Sequence, residues 1–333
     1  MPSSHSITVF THCNISTKPT CKAFSLLELS FVLVIISIFL GFTLSYAAKK
    51  TDADRLAQTQ TRTKELEKAL YAYINANRSL PCPADPSLSE TDANFGLAQR
   101  DSGSPGFCIQ STSFLGLRSN NMVWGMIPTK TLNIRDSLAY DGWGRKFSYI
   151  MIETCNADEG TDPTNHFASS TACGGTSNTQ IQINDASGTI IMNNAIFTII
   201  SHGKNGVGGF NAAAGNRRVP RLPSGISADE ATNAHVGNDG IIVSPPIDQI
   251  FVARIPQFDE TNANYFDDIV LFKNKTQIIN NIKALNQGSS ICNIVDSFNT
   301  GSVTAVQLCG TKTTTDCQNI INSLYNALIP FCY

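Results

Sequence analysis

The chain has 333 residues, 42% hydrophobic and 15% charged, with a formal net charge of −2. That excludes a disordered tail and a polytopic membrane protein. With 24 Lys+Arg against 26 Asp+Glu it also excludes an ordinary basic nucleic-acid binder, so no nucleic-acid partner is expected. In chain order, residues 1–23 come first as a leader that carries Lys18 and Lys22 and no acid. Residues 24–48 follow, the one stretch long and apolar enough to enter a bilayer. As a helix rising about 1.5 Å per residue, this stretch covers a hydrocarbon core of roughly 30 Å. Its single charged residue is Glu28. A carboxylate in an apolar helix is costly, and such groups pair or serve a function. Glu28 either stays near the headgroups of a signal anchor, or it has a partner. A cut between Ala23 and Phe24 would create an α-amino group one helical turn from Glu28. In a polymer that amine could pair with Glu28 of the next subunit.

Residues 49–77 contain neither Gly nor Pro and are rich in helix formers. Leu56, Leu66, Leu70 and Tyr73 share one side, while Lys64–Glu67 and Glu65–Lys68 are spaced as i,i+3 ion pairs. The helix is expected to stop between Asn77 and Pro81, because the residue before Pro avoids helical backbone angles. With no Pro between Phe24 and Asn77, the sequence predicts one rod on the order of 80 Å long. Beyond Pro81, strands are expected at 146–152, 180–183, 195–201, 241–244, 249–254 and 269–272. A long helix followed by strands predicts an α+β fold, with an antiparallel sheet lying on the helix. The expected parts are a leader (1–23), a transmembrane half-helix (24–48), its periplasmic continuation (49–80), an α+β domain (81–272) and a Cys-rich C-terminal subdomain (273–333).

Of the 10 cysteines, Cys13 and Cys21 lie in the leader. The remaining even set is Cys82, Cys108, Cys155, Cys173, Cys292, Cys309, Cys317 and Cys332, as an exported, oxidised chain should show. Absence of any C-x-x-C pair argues against a zinc ribbon or a thioredoxin-like site. Neighbour pairing gives Cys82–Cys108 and Cys155–Cys173 with two bridges among the last four, and other pairings stay open.

The run Lys22-Ala23-Phe24-Ser25-Leu26-Leu27-Glu28-Leu29, with the apolar stretch behind it, resembles the prepilin motif of type IV pilins and type II secretion pseudopilins. The resemblance implies cleavage between Ala23 and Phe24 by prepilin peptidase, N-methylation of Phe24, and Glu28 as the family's fifth-position assembly residue. The chain departs from the family at Ala23, where Gly is usual, and at Ser25, where Thr is commoner. Two turns add to the likeness. Asp141-Gly142-Trp143-Gly144 resembles the turn that opens the pseudopilin sheet. Ser201-His202-Gly203-Lys204-Asn205-Gly206 resembles a family turn at a strand end and is expected to close a tight hairpin. Phe266-Asp267-Asp268-Ile269-Val270 resembles the end of the family's calcium-binding loop. Asp267 and Asp268, with Asn262 and Asn264 of the same acidic stretch, are therefore candidate calcium ligands, hard oxygen donors of the kind Ca²⁺ takes.

No nucleophile–base arrangement stands out among five histidines, two of which (His5 and His12) lie in the leader. The expected protein is a structural one rather than an enzyme. It would be a pseudopilin or minor pilin with a pilin-like α+β fold and a disulfide-stapled C-terminal extension, single-pass in the inner membrane with its globular domain periplasmic. No cofactor is required beyond calcium as a candidate. Its expected partners are other pilins or pseudopilins through the N-terminal helix, prepilin peptidase and an inner-membrane assembly platform. The alternative is a membrane-anchored or secreted periplasmic enzyme or binding protein with an ordinary signal sequence, since Ser45-Tyr46-Ala47 fits a small-x-small cleavage pattern.

Overall fold

The computed structural model describes residues 26–101, 108, 118–119, 121–155, 173, 180–212, 219, 227–235, 249–258, 265–286, 319 and 323. The leader with Ala23 and Phe24, the strand expected at 241–244, Asn262, Asn264 and the four C-terminal cysteines lie outside them. The chain divides into two compact units, Met1–Thr51 and Asp52–Tyr333.

Helix α1 is Leu26–Asn77. Its first unit-long part carries exposed apolar side chains, among them Leu26, Phe31 and Phe39. In the second unit α1 turns Leu66, Leu70 and Ile74 inward at four-residue spacing, all fully buried. It stops where expected, after Asn77, with Arg78 in the left-handed region (φ 57) and its N–H still bonded to the Ile74 carbonyl. The expected intrahelical pairs give way to longer-range ones. Glu67 pairs with Lys273 of the later chain (2.9 Å) while accepting from Tyr71 one turn on in α1 (2.6 Å), and Glu65 faces Arg135 at 4.0 Å.

The strands of the second unit are β1 (Arg118–Ser119), β2 (Met122–Met126), β3 (Arg145–Lys146), β4 (Ser148–Ile152), β5 (Ile181–Asn184), β6 (Ile190–Ser201), β7 (Phe210–Asn211), β8 (Ile250–Val252) and β9 (Ile269–Asn274). Helix α2 (Ala228–Ala234) lies between β7 and β8, and α3 (Lys275–Asn286) follows β9. The main sheet runs β1-β2-β4-β6-β5-β8, with β9 also on β6, and β3 pairs with β7 in a small separate sheet. Strand β6 is long enough to serve three neighbours, β5 along its first half and, along its second, β4 on one edge and β9 on the other. Every residue of β2 and β4 is buried, so these strands show continuous apolar runs rather than alternation. Helix α3 places Ile278 and Ile282 in the same core.

The expected fold needs correcting. Among the described residues no helix is long and apolar enough to cross a membrane. The transmembrane half-helix, the single-pass inner-membrane location and the pilin-like fold built on them are therefore withdrawn. Nor is the sheet antiparallel throughout. β8 pairs with β5 in parallel, Gln182 opposite Ile250 and Asn184 opposite Val252. A parallel partner requires a long crossover, which here contains β6, β7 and α2. The expected hairpin after Ser201 is also absent, because β7 pairs with β3 and not with β6.

Two disulfides, Cys82–Cys108 and Cys155–Cys173, span 26 and 18 residues. Both flank the core end of α1, where the Leu80 N–H bonds the Cys155 carbonyl (3.0 Å). Replacing Cys82 and Cys108 together by Ser is expected to lower stability by about 2–4 kcal/mol. The check is a urea unfolding curve beside that of the wild type under non-reducing conditions.

Candidate metal centre and hydrogen-bonded core

Three carboxylates from two elements meet below the end of β6. Glu230 comes from α2; Asp267 and Asp268 immediately precede β9. One oxygen from each lies within 4.8 Å of the others, and all three residues are buried. Local sequence explains how Glu230 gets there. Ser227 caps α2 and accepts the Glu230 N–H (3.3 Å), the first half of the S-x-x-E capping box. The Glu230 side chain does not return to the cap. Its Oε1 accepts from the Asp267 N–H (3.1 Å) and its Oε2 from Asn205 Nδ2 (3.0 Å).

The Gly203–Gly206 turn closes over the same carboxylates. Asp267 Oδ2 accepts from the Asn205 N–H (2.8 Å) and from the Tyr265 hydroxyl (2.7 Å). Gly203 has φ +55, and a Cβ there would lie 2.6 Å from Asp267 Oδ1, so the close approach requires glycine. Asp268 is held from the other side. Asn233 Nδ2 donates to its Oδ2 (2.9 Å), and His202 Nδ1 lies 3.9 Å from its Oδ1.

Three carboxylates this close in a buried site cannot all carry charge without compensation. Burial, then the Asp267 charge, pushes the Glu230 carboxyl up to about 8. Asp267 is raised by burial, and Asp268 is raised well above the usual carboxylate range by burial and then by its two acidic neighbours. The group therefore retains protons near neutrality or takes a cation. Its hard oxygen donors fit calcium chemistry. Asp267 and Asp268 were expected as ligands. Glu230, distant in sequence, belongs to the acidic, Asn-rich stretch 229–239, which the sequence marks as a second loop of hard oxygen donors; the structure folds the start of that stretch into α2, which brings Glu230 to the two aspartates.

A second string of polar residues is legible only in the fold. Ser148 Oγ and His202 Nε2 are 2.8 Å apart, so Ser148, His202 and Asp268 form a Ser–His–Asp series. All three are buried, at 3%, 0% and 2% exposure. By sequence His202 is a residue of a tight turn with no nucleophile at an interpretable spacing. Ser148 lies inside β4, opposite Ile200 of β6, where no regular sequence spacing would pair it with His202. Alongside, Ser201 Oγ donates to Asp141 Oδ2 (2.7 Å), and Asp141 Oδ1 accepts the N–H groups of Trp143 and Arg145 (both 2.9 Å). Trp143, whose large apolar face suits the edge of a core, is only half-buried. Gly142 is the residue that matters in this turn, for reasons of contact with α1.

Glu28 lies in the first turn of α1 with its side chain exposed, in the other unit. No family model, no curated protein and no solved structure matches this chain.

Proposed function

We propose that this chain is a structural subunit, cut between Ala23 and Phe24 and assembled with copies of itself or with related chains through the apolar part of α1. The observation that carries this reading is the exposure of that segment. Leu26 is 88% and Phe39 66% exposed, and apolar side chains cover the helix on every side. A helix that is apolar all round needs a covering surface, and parallel copies packed side by side supply one. The prepilin-like run ahead of it supports the cut, and Glu28 is the carboxylate that a neighbour's freed α-amino group would meet in the assembly. The two disulfides fit life in an oxidising compartment.

Mass spectrometry of the protein from its native host should find a mature chain starting at Phe24. Glu28→Gln should abolish filaments in electron micrographs, by tenfold or more in yield, while leaving the thermal midpoint of the globular unit unchanged. A mature chain starting at Ala48 or Lys49, which lacks the apolar segment, would end this reading.

The same proposal gives the Glu230–Asp267–Asp268 group a divalent cation of the calcium kind as its ligand. Millimolar Ca²⁺ should raise the thermal midpoint by several degrees, since a ligand at 100 times its Kd stabilises by about 2.7 kcal/mol. Asp268→Ala should remove that rise. Equal midpoints with Ca²⁺ and with chelator would remove calcium from the proposal.

A further inference from the structure

Two turns close on α1 immediately after the start of the second unit. In the first, the Gly142 N–H donates to Thr59 Oγ1 (2.9 Å), and Arg62 Nη1 donates to the carbonyls of Tyr140 (2.6 Å) and Asp141 (3.0 Å). In the second, Lys204 Nζ pairs with Asp52 Oδ2 at 3.2 Å. Behind the helix the two turns are joined. Ser201, next to the second turn, donates to Asp141, which shapes the first. Asp267 fixes the second turn by accepting the Asn205 N–H, and Glu230 binds the Asn205 side chain. Asp267 is thus one residue away from Lys204 along the chain of bonds, although it contacts α1 nowhere in these bonds.

The described side chains of α1 before Asp52 are exposed, and in the second unit the two turns are the first tertiary support that the helix meets. Helices open from unsupported stretches, and helix stability in proteins comes mostly from packing. We propose that the buried Asp267 carboxyl acts through the 203–206 turn as a remote clamp on α1, its hold on the Asn205 N–H setting how firmly residues 52–63 are held. Holding and releasing this segment requires no direct contact, because Asp267 sets the backbone of the turn and the turn carries Lys204 to Asp52. The coupling works in both directions, as any equilibrium linkage must.

Hydrogen exchange on the full chain tests it. Asp267→Ala should speed amide exchange in residues 52–63 roughly tenfold, the loss expected when a charge-accepting bond is removed. Asp267→Asn keeps an acceptor for the Asn205 N–H and should restore near wild-type exchange there. Lys204→Ala should give the same acceleration as Asp267→Ala, and the double variant no more than the larger single effect. Wild-type exchange in 52–63 with a faster 203–206 turn would overturn the clamp, and so would additive effects. If Asp267→Ala also loosens β4 and β6, the surface variant Lys204→Ala reads the link from the other end. It should speed exchange at the Asn205 and Asp267 amides, and unchanged exchange at both would overturn the proposal.

Discussion

Replacing Gly142 by Ala is expected to destabilise the second unit by about 3 kcal/mol, far more than the same change two residues on. A Cβ at Gly142 would lie 2.8 Å from the Arg55 carbonyl carbon and 2.9 Å from its Cα, both rigid helix backbone. The turn would have to lift off α1. Lifting would break the Gly142–Thr59 bond and both bonds from Arg62 to the Tyr140 and Asp141 carbonyls. Asp141 is also drawn in, since its carboxyl holds the turn and ties it to Ser201. Gly144 is the internal comparison. It has φ +80 but nothing within 4 Å of its Cβ position, so Gly144→Ala should cost only about 1 kcal/mol of backbone strain. Urea unfolding midpoints of the two variants, side by side, check the difference. Equal losses would mean that backbone strain, not contact with α1, explains why glycine stands at 142.

The second large effect is an inverted pH dependence. Carboxylates that are paired in the folded state usually lose stability as pH falls. Glu230 does the opposite, because its folded pKa of about 8 lies above the ordinary 4.5. Between those values the folded chain holds a proton that the unfolded chain releases. Stability from this group is complete at pH 4.5 and below, and it drains away as pH rises to 8. Asp267 and Asp268 are raised as well and push the same way. Lys146, lowered by burial to about 8, acts only above this window, where it works in the other direction. With chelator present, unfolding free energy should fall by on the order of 2 kcal/mol from pH 5 to pH 8. Glu230→Gln, which copies the protonated acid, should flatten much of that slope. A stability that rises across the same interval, or a slope untouched by Glu230→Gln, would show that the carboxylates are ionised in the folded chain.

What could be read from the sequence follows a physical division. Local signals worked: the Gly- and Pro-free run to Asn77 reads as helix, and the apolar segments of β4, β6 and β9 read as strands. Features set by distant partners did not. β2 (Met-Val-Trp-Gly-Met) is buried on both sides and shows no alternation, and the parallel β5–β8 pairing depends on a crossover that no local pattern announces. Helix α3 carries its apolar residues at helical spacing, yet it was merged into a Cys-rich subdomain because the cysteines drew the boundary at 273. At the site, Asp267 and Asp268 stood out as adjacent acids. Glu230 and Ser148 are single residues whose roles arise only when α2 and β4 are packed beside the 202–206 turn.

Asn233 has a consequence beyond holding Asp268. Among the described residues strand β8 is the last in its sheet, and its side away from β5 presents the N–H and C=O of Val252. The Asn233 amide takes both, accepting from Val252 N (2.8 Å) and donating to its carbonyl (2.9 Å). A side chain thereby occupies the place of the next strand. Such open borders otherwise recruit other polypeptides into continuous ribbons, so one amide guards this chain against clumping through its own margin.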